Sequence, residues 1–190
     1  MKEIEYKFVL KPKDKNILEK FLSDNDAKMV SEGTQDNWYY VAPGKNDLRI
    51  RRTDKEAYLV LKKGWMHDDD RDEIEIKVAR ADFLRLDEVF CSLGYKYDTK
   101  WYRKRTEYKY KNFSITIDFN AGYGWIAEIE RTVQPGNEEM AKKEILSLAK
   151  EIGLKPATKE LFNKMYEYYK KNWSHYIKTK STFDIDKISK

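Results

Sequence analysis

The residues best suited to chemistry sit in short stretches where ionised and apolar side chains alternate. Glu3, Glu5 and Lys7 alternate with Ile4, Tyr6 and Phe8, and the pattern returns in Leu48-Arg49-Ile50-Arg51, Leu61-Lys62, Glu73-Ile74-Glu75-Ile76-Lys77, Arg103-Lys104-Arg105, Ile117-Asp118 and Glu128-Ile129-Glu130. A period of two is that of a β-strand, so each stretch presents one ionised and one apolar face. Carboxylates are natural ligands for a hard divalent cation such as Mg²⁺, which keeps waters and bridges to phosphates. Arginine and lysine grip phosphate oxygens, the first through a planar fork and the second as a point charge. A face carrying both suits phosphoryl or nucleotidyl transfer, in which metal and cations neutralise developing charge.

Two arrangements fit the alternation. In one, helices cover the apolar face of an antiparallel sheet while the ionised face is solvated surface. In the other, the sheet curls into a barrel whose ionised faces converge on its interior and whose apolar exterior packs on helices. Two details favour the second: these positions lack the usual admixture of Thr, Ser and Gln, and the charges are sorted by strand, arginines in 48–52 and carboxylates in 128–130. Sorted charge is self-repelling and calls for a ligand that relieves it. Lys104 interrupts the apolar face of its strand.

The elements that must position these residues follow in order. After the first strand, Lys11-Pro12-Lys13-Asp14 precedes Ile17, Leu18, Phe21 and Leu22 at helical spacing. Residues 32–41 read as extended, closing at Ala42-Pro43-Gly44, and 48–52 with 57–62 as a hairpin. A polar connection containing Asp68-Asp69-Asp70 leads to the strand 73–78; its spacing is not that of a calcium loop. A helix over 81–93 carries Phe83, Leu84, Leu86, Val89, Phe90 and Leu93 as its stripe, with Cys91 read as part of the core. Strands 101–110, 113–120 and 125–132 come next, then helices from Asn137 to Ile152 and from Thr158 towards Tyr176. The aromatic-basic last helix is expected to pack on the body; residues 178–190 are expected to form a mobile tail.

With 190 residues the chain fits a single domain, taken as 1–177 including the C-terminal helices. A net charge of +5 favours anionic partners. One cysteine excludes an internal disulfide framework, and His67 and His175 make no Cys/His metal cluster. Without an apolar run of membrane-spanning length or a secretory leader, the expectation is a cytoplasmic protein with no membrane partner.

Taken together these motifs resemble the CYTH domain, or triphosphate tunnel metalloenzyme, family. Its signature Glu-x-Glu-x-Lys is similar to Glu3-Ile4-Glu5-Tyr6-Lys7, and the likeness continues in order through Leu48-Arg49-Ile50-Arg51, Leu59-Val60-Leu61-Lys62, Glu73-x-Glu75, Arg103-x-Arg105 with Tyr108, Ile117-Asp118 and Gly124-Trp125-Ile126-Ala127-Glu128-Ile129-Glu130, over about the first 170 residues. The resemblance implies an α+β fold, an eight-stranded antiparallel β-barrel or tunnel with helices packed outside. It implies Mg²⁺ or Mn²⁺ held by Glu3, Glu5, Asp118, Glu128 and Glu130, and a triphosphate held by Lys7, Arg49, Arg51, Lys62, Arg103 and Arg105. Glu3, Glu5 and Lys7 would carry catalysis, supported by Glu73, Glu75 and Lys77. The implied activity is metal-dependent hydrolysis of a triphosphate, whether tripolyphosphate, a nucleoside triphosphate or thiamine triphosphate. The motif order is similar to the class IV adenylyl cyclase-like branch, so conversion of ATP to cyclic AMP and pyrophosphate is the alternative, and a non-catalytic module binding polyphosphate, nucleotide or an RNA 5′ end a third. Monomer and homodimer both fit.

Overall fold

A computed structural model describes residues 1–44, 46–63 and 73–188 of the chain. These residues form eight strands: β1 (Lys2–Leu10), β2 (Lys28–Tyr40), β3 (Asp47–Thr53), β4 (Ala57–Lys62), β5 (Glu73–Val78), β6 (Tyr97–Tyr110), β7 (Phe113–Asn120) and β8 (Gly124–Val133). Five α-helices accompany them among the described residues: α1 (Pro12–Asp24), α2 (Phe83–Ser92), α3 (Glu138–Ile152), α4 (Lys159–Thr179) and the single turn α5 (Ile185–Ile188). All strands join one antiparallel sheet in the order β1-β8-β7-β6-β2-β3-β4-β5. The α+β, eight-stranded antiparallel expectation therefore holds; among the described residues no ladder joins β1 to β5, so the sheet curls without a closing row of hydrogen bonds.

Alternation decides the two faces. Phe8, Leu10, Ile115, Ile117, Ala127 and Ile129 are buried on the outer face against Leu18 and Leu22 of α1 and Ile145, Leu148 and Ile152 of α3. Fully burying each such aliphatic side chain contributes about 1.5–3 kcal/mol. Further along the sheet, Ile50 and Tyr40 pack on Phe83 of α2, with Leu86 and Phe90 beside them. Cys91, read as core from the sequence, lies instead on the exposed side of α2. Lys104 breaks the apolar row without penalty because its ammonium reaches out to Glu32 at 2.9 Å on the solvent side.

Local chemistry fixes the helix ends. Pro12 opens α1, where its missing N–H would find no partner, and the Lys11 amide donates to the Asp14 carboxylate at 3.1 Å. The Thr158 hydroxyl accepts the Leu161 amide at 3.1 Å to start α4. Gly153 ends α3 with φ of 86°, a left-handed conformation that glycine adopts without strain.

The long helix α4 packs at one end of the sheet. Trp101, Tyr123 and Ile126 lie at one end of the inner face and are covered by Met165 and Tyr169 of α4. Tyr169 stacks on Trp101 at 4.1 Å, and its hydroxyl donates to the Lys100 carbonyl at 2.6 Å. Burial of the aromatic stripe is what the sequence predicts; the surface it finds is the interior of the sheet. The segment from Lys178, expected to be mobile, continues from α4 onto the β7–β8 turn, where Gly122 N–H donates to Ser181 O and Phe183 N–H to Gly122 O, both at 2.8 Å. Phe183 is buried there. Gly122 has φ of 88°, and a Cβ on it would meet the Tyr169 ring at 2.5 Å. Gly122→Ala is therefore expected to destabilise the protein by more than about 1 kcal/mol, read from the urea midpoint.

Candidate active site

The ladder registers bring the predicted residues together. Between β1 and β8, Glu5 lies opposite Glu130 and Lys7 opposite Glu128. Between β6 and β7, Arg105 faces Asp118. Because β7 lies between β8 and β6, Glu128 comes within reach of Arg105 across it. All project from the inner face, as their strand neighbours Phe8, Ile117, Ala127 and Ile129 fill the outer core.

Arg105 is the hub. Its Nε and Nη2 bind both oxygens of Asp118, at 2.8 and 2.6 Å, and Nη2 also reaches Glu128 Oε2 at 2.8 Å. Arg103 adds a 3.3 Å contact to Asp118 and donates from Nε to Gln35 at 2.8 Å. Lys7 lies 3.1 Å from Glu5 Oε1 and 3.6 Å from Glu128 Oε1. These contacts set the ionisation. Burial would raise the Glu128 pKa, but Arg105, Lys7 and Arg103 outweigh it and hold it down at about 2. Burial would likewise lower Lys7, yet Glu128 and Glu5 leave it raised. Arg103 is lowered, by burial first and then by the Arg105 charge.

Glu130 behaves in the opposite way. Burial, then the neighbouring Glu3 carboxyl, then Glu5, push its pKa up to about 7. Glu3 and Glu130 thus form a carboxyl pair at the end of the site farthest from the arginines.

A second cationic group lies on β3. Arg49 Nη1 donates to Tyr39 Oη at 3.0 Å and Asp47 Oδ2 at 2.8 Å. Arg51 pairs with Glu75 and lies over the Tyr58 ring, 4.8 Å from its centroid. Lys62 stands in register between Asp47 and Glu73. Lys77 is drawn to Glu56 beside the β3–β4 turn, so it supports the strand edge and makes no contact with the arginines of β3. The side chain of Glu73, the Asp68-Asp69-Asp70 stretch and His67 lie outside the described residues.

Sequence reasoning missed Gln35, Tyr39 and Asp47. Gln35 and Tyr39 alternate on β2 with Trp38 and Tyr40, but they are uncharged, so a search for ionised alternation passes over them. Asp47 precedes the Leu48-Arg49 motif directly, and its nearly full burial beside Arg49 is a feature of the folded chain.

The five carboxylates proposed for metal fit the ion by donor chemistry, but they do not form a ready-made nest: among the described residues no three acidic, histidine or cysteine side chains converge as a metal site. The reason is visible in the contacts. Asp118 and Glu128 are saturated by Arg103, Arg105 and Lys7. Glu130, opposite Glu5 in the ladder, instead has its side chain beside that of Glu3, and a divalent cation there would offset the burial and the negative neighbours that raise Glu130.

Solved structures similar to this fold include the following three. A conserved hypothetical protein from Pyrococcus furiosus shares 30% identity with a TM-score of 0.67, covering 80% of this chain and 91% of its own. The PH1012 protein from Pyrococcus horikoshii shares 28% identity, also with a TM-score of 0.67 and coverage of 80% and 91%. A protein of Vibrio parahaemolyticus provisionally assigned as an adenylate cyclase shares 16% identity with a TM-score of 0.68, covering 84% of this chain and 94% of its own, a likeness of fold alone. Among curated proteins none matches the chain. The model of the CYTH domain matches residues 1–161, spanning all eight strands and every charged motif of the inner face. With that match over most of its length, the chain belongs to the CYTH domain family.

Proposed function

We propose that this protein is a divalent-metal-dependent hydrolase of triphosphates. The observation that carries this reading is the mutual saturation of the inner face: Arg105, Arg103 and Lys7 occupy Asp118, Glu128 and Glu5. A ligand with only one sign of charge would leave buried partners of the other sign uncompensated, which costs several kcal/mol per ion. A metal–polyphosphate complex brings both signs. Its cation takes over the carboxylates as its phosphate oxygens take over the cations, and no buried charge is orphaned.

In this reading Glu3, Glu5 and Glu130 would hold the metal, with Asp118 and Glu128 joining as their arginine contacts are exchanged. When bound, Mg²⁺ or Mn²⁺ supplies charge that neutralises phosphate oxygens and acidifies a coordinated water. Arg103, Arg105, Arg49 and Arg51 fork onto non-bridging oxygens, and Lys7, beside both carboxylate groups, neutralises the phosphoryl group under attack. Hydrolysis would join a water oxygen to the terminal phosphorus and break the bridging P–O bond, the displaced water proton passing to solvent, while Arg49, Arg51, Arg103 and Arg105 would hold the remaining diphosphate.

Hydrolysis fits this face better than cyclisation. Closing a ring onto the α-phosphorus requires a surface that aligns ribose and base. The inner-face aromatics Trp101 and Tyr123 are covered by Tyr169, and Tyr39 carries Arg49, 5.2 Å above its ring.

A binding measurement tests the reading without turnover. The raised Glu130 pKa means that the folded protein holds a proton the unfolded chain has released, so stability from this group falls as pH rises from about 4.5 through about 7. Mg²⁺ or Mn²⁺ should therefore raise the melting temperature clearly at pH 8 and little at pH 5, and tripolyphosphate should raise it further only with metal present. Equal shifts at both pH values, or none with Glu3 and Glu130 intact, would contradict the assignment of this carboxyl pair to the metal.

A further inference from the structure

Seven polar or charged side chains are buried among the described residues. Five of these are engaged: Asp47 by Arg49, Thr99 by the Trp101 indole, Ser114 by Glu107, Thr116 by Glu128 and Asp118 by Arg105. The other two are Asn37 and Asn120, 5% and 8% exposed, whose side-chain amides meet no hydrogen-bonding group among the described residues. Neither amide is among the polar atoms sealed from solvent without a partner, so the little exposure that remains includes the amide tips. Burying an amide unpaired is destabilising, and such a group calls for a partner from outside the chain.

The ladders fix the face on which both amides lie. Asn37 stands opposite Trp101 on β6 and Arg51 on β3, and Asn120 stands opposite Arg103, so both share the inner face with the arginines. On the same face of β2, Gln35 accepts from Arg103 and Tyr39 accepts from Arg49. Asn37 lies between them, and between the arginines of β6 and those of β3. On its Trp101 side the surface is closed by the stacked Tyr169 ring. A neutral donor suits this place. Asp118, Glu128 and Glu75 are already paired with Arg105, Arg103, Lys7 and Arg51, so a further cation would stand uncompensated, whereas an amide adds donors without adding charge.

We infer that Asn37 and Asn120 are substrate-binding residues, donating amide N–H groups to non-bridging oxygens of the diphosphate part of a triphosphate. This rests on the triphosphatase reading and extends it. The cations match the charge of the ligand, and the two neutral donors fix where along the row of phosphates its untransferred part lies. Phosphate oxygens accept only, and each amide nitrogen offers two donors, so the match is one of hydrogen-bond polarity.

Calorimetric titration of the full chain with Mg²⁺ and imidotriphosphate, in which NH groups replace the bridging oxygens, tests this without turnover. Asn37→Val, which suits a strand and has no donor, should raise the dissociation constant at least about tenfold, and Asn120→Val likewise, because a hydrogen bond to a charged partner is lost. Asn37→Asp keeps the shape but replaces donors with a charge that repels phosphate, and should weaken binding further. Stability should move the other way: the melting temperature of ligand-free Asn37→Val should match or exceed that of the parent, since an unpaired polar group gives way to an apolar one. Where that variant fails to fold, Asn37→Asp carries the comparison. Affinity lost only together with melting temperature would mark these residues as structural and overturn the assignment. Unchanged affinity in Asn37→Asp and Asn120→Val, with the parent binding, would overturn it while leaving the triphosphatase reading in place. A parent that binds no imidotriphosphate with Mg²⁺ or Mn²⁺ would overturn both.

Discussion

Glu5→Gln is expected to lower metal-dependent turnover of a triphosphate at least about a thousandfold, because a lost metal ligand removes several kcal/mol of charge stabilisation. The fold should be unaffected. Glu5 is half-exposed, Lys7 keeps Glu128 at 3.6 Å after the change, and the neutral amide lessens the crowding of negative charge around Glu130. Unfolding of the metal-free variant should therefore be at least as cooperative and as late as that of the parent. The gain from Mg²⁺ or Mn²⁺ in a thermal melt should largely disappear. A variant that kept full activity would remove Glu5 from the metal set, and one that lost activity by unfolding would be distinguished by the melt itself.

The largest effect on stability is expected from Arg105→Met. This residue satisfies both oxygens of Asp118, which is 2% exposed, and one oxygen of Glu128. Removing it leaves Asp118 with the single 3.3 Å contact from Arg103, and breaking a buried pair from one side costs about 3–5 kcal/mol. The urea midpoint should fall accordingly, and Arg105→Lys should recover part of the loss, since it restores the charge without the fork. Adding Asp118→Asn to Arg105→Met should also recover part of it, because the orphaned charge is then gone. The pH dependence has a definite sign. Glu128, held at about 2, contributes stability that is present above about 4.5 and is lost as pH falls towards 2. That acid-side slope should be shallower in Arg105→Met than in the parent.

The strands of the site were legible because an ionised residue every second position leaves few alternatives to a two-faced strand, and the ladders place Glu5 opposite Glu130 and Arg105 opposite Asp118 as that alternation requires. Less legible were strand ends without alternation. The start of β2, Lys28 to Glu32, is exposed throughout, so burial left no trace in its sequence. The stripe of α4 announced that it would be buried, yet amphipathicity names no partner, and its target proved to be the inner face around Trp101. The stripe assigned to α2 was similarly divided by tertiary context: Phe83, Leu86 and Phe90 pack inward, while Leu84, Val89 and Leu93 stay exposed. Alternation listed the charged residues of the inner face, but not their pairing. Spacing puts carboxylates and arginines on one face; only the curvature of the sheet decides that Arg105 takes Glu128 and leaves Glu130 to Glu3.

Product analysis tests the central claim most directly. Purified protein would be incubated with Mg²⁺ or Mn²⁺ and, separately, tripolyphosphate, ATP and thiamine triphosphate, and orthophosphate, pyrophosphate and cyclic AMP would be resolved. The predicted result is metal-dependent release of orthophosphate from at least one substrate, lost in Glu5→Gln and abolished by a chelator. Cyclic AMP with pyrophosphate as the sole products, or no turnover of any triphosphate with either metal, would contradict it.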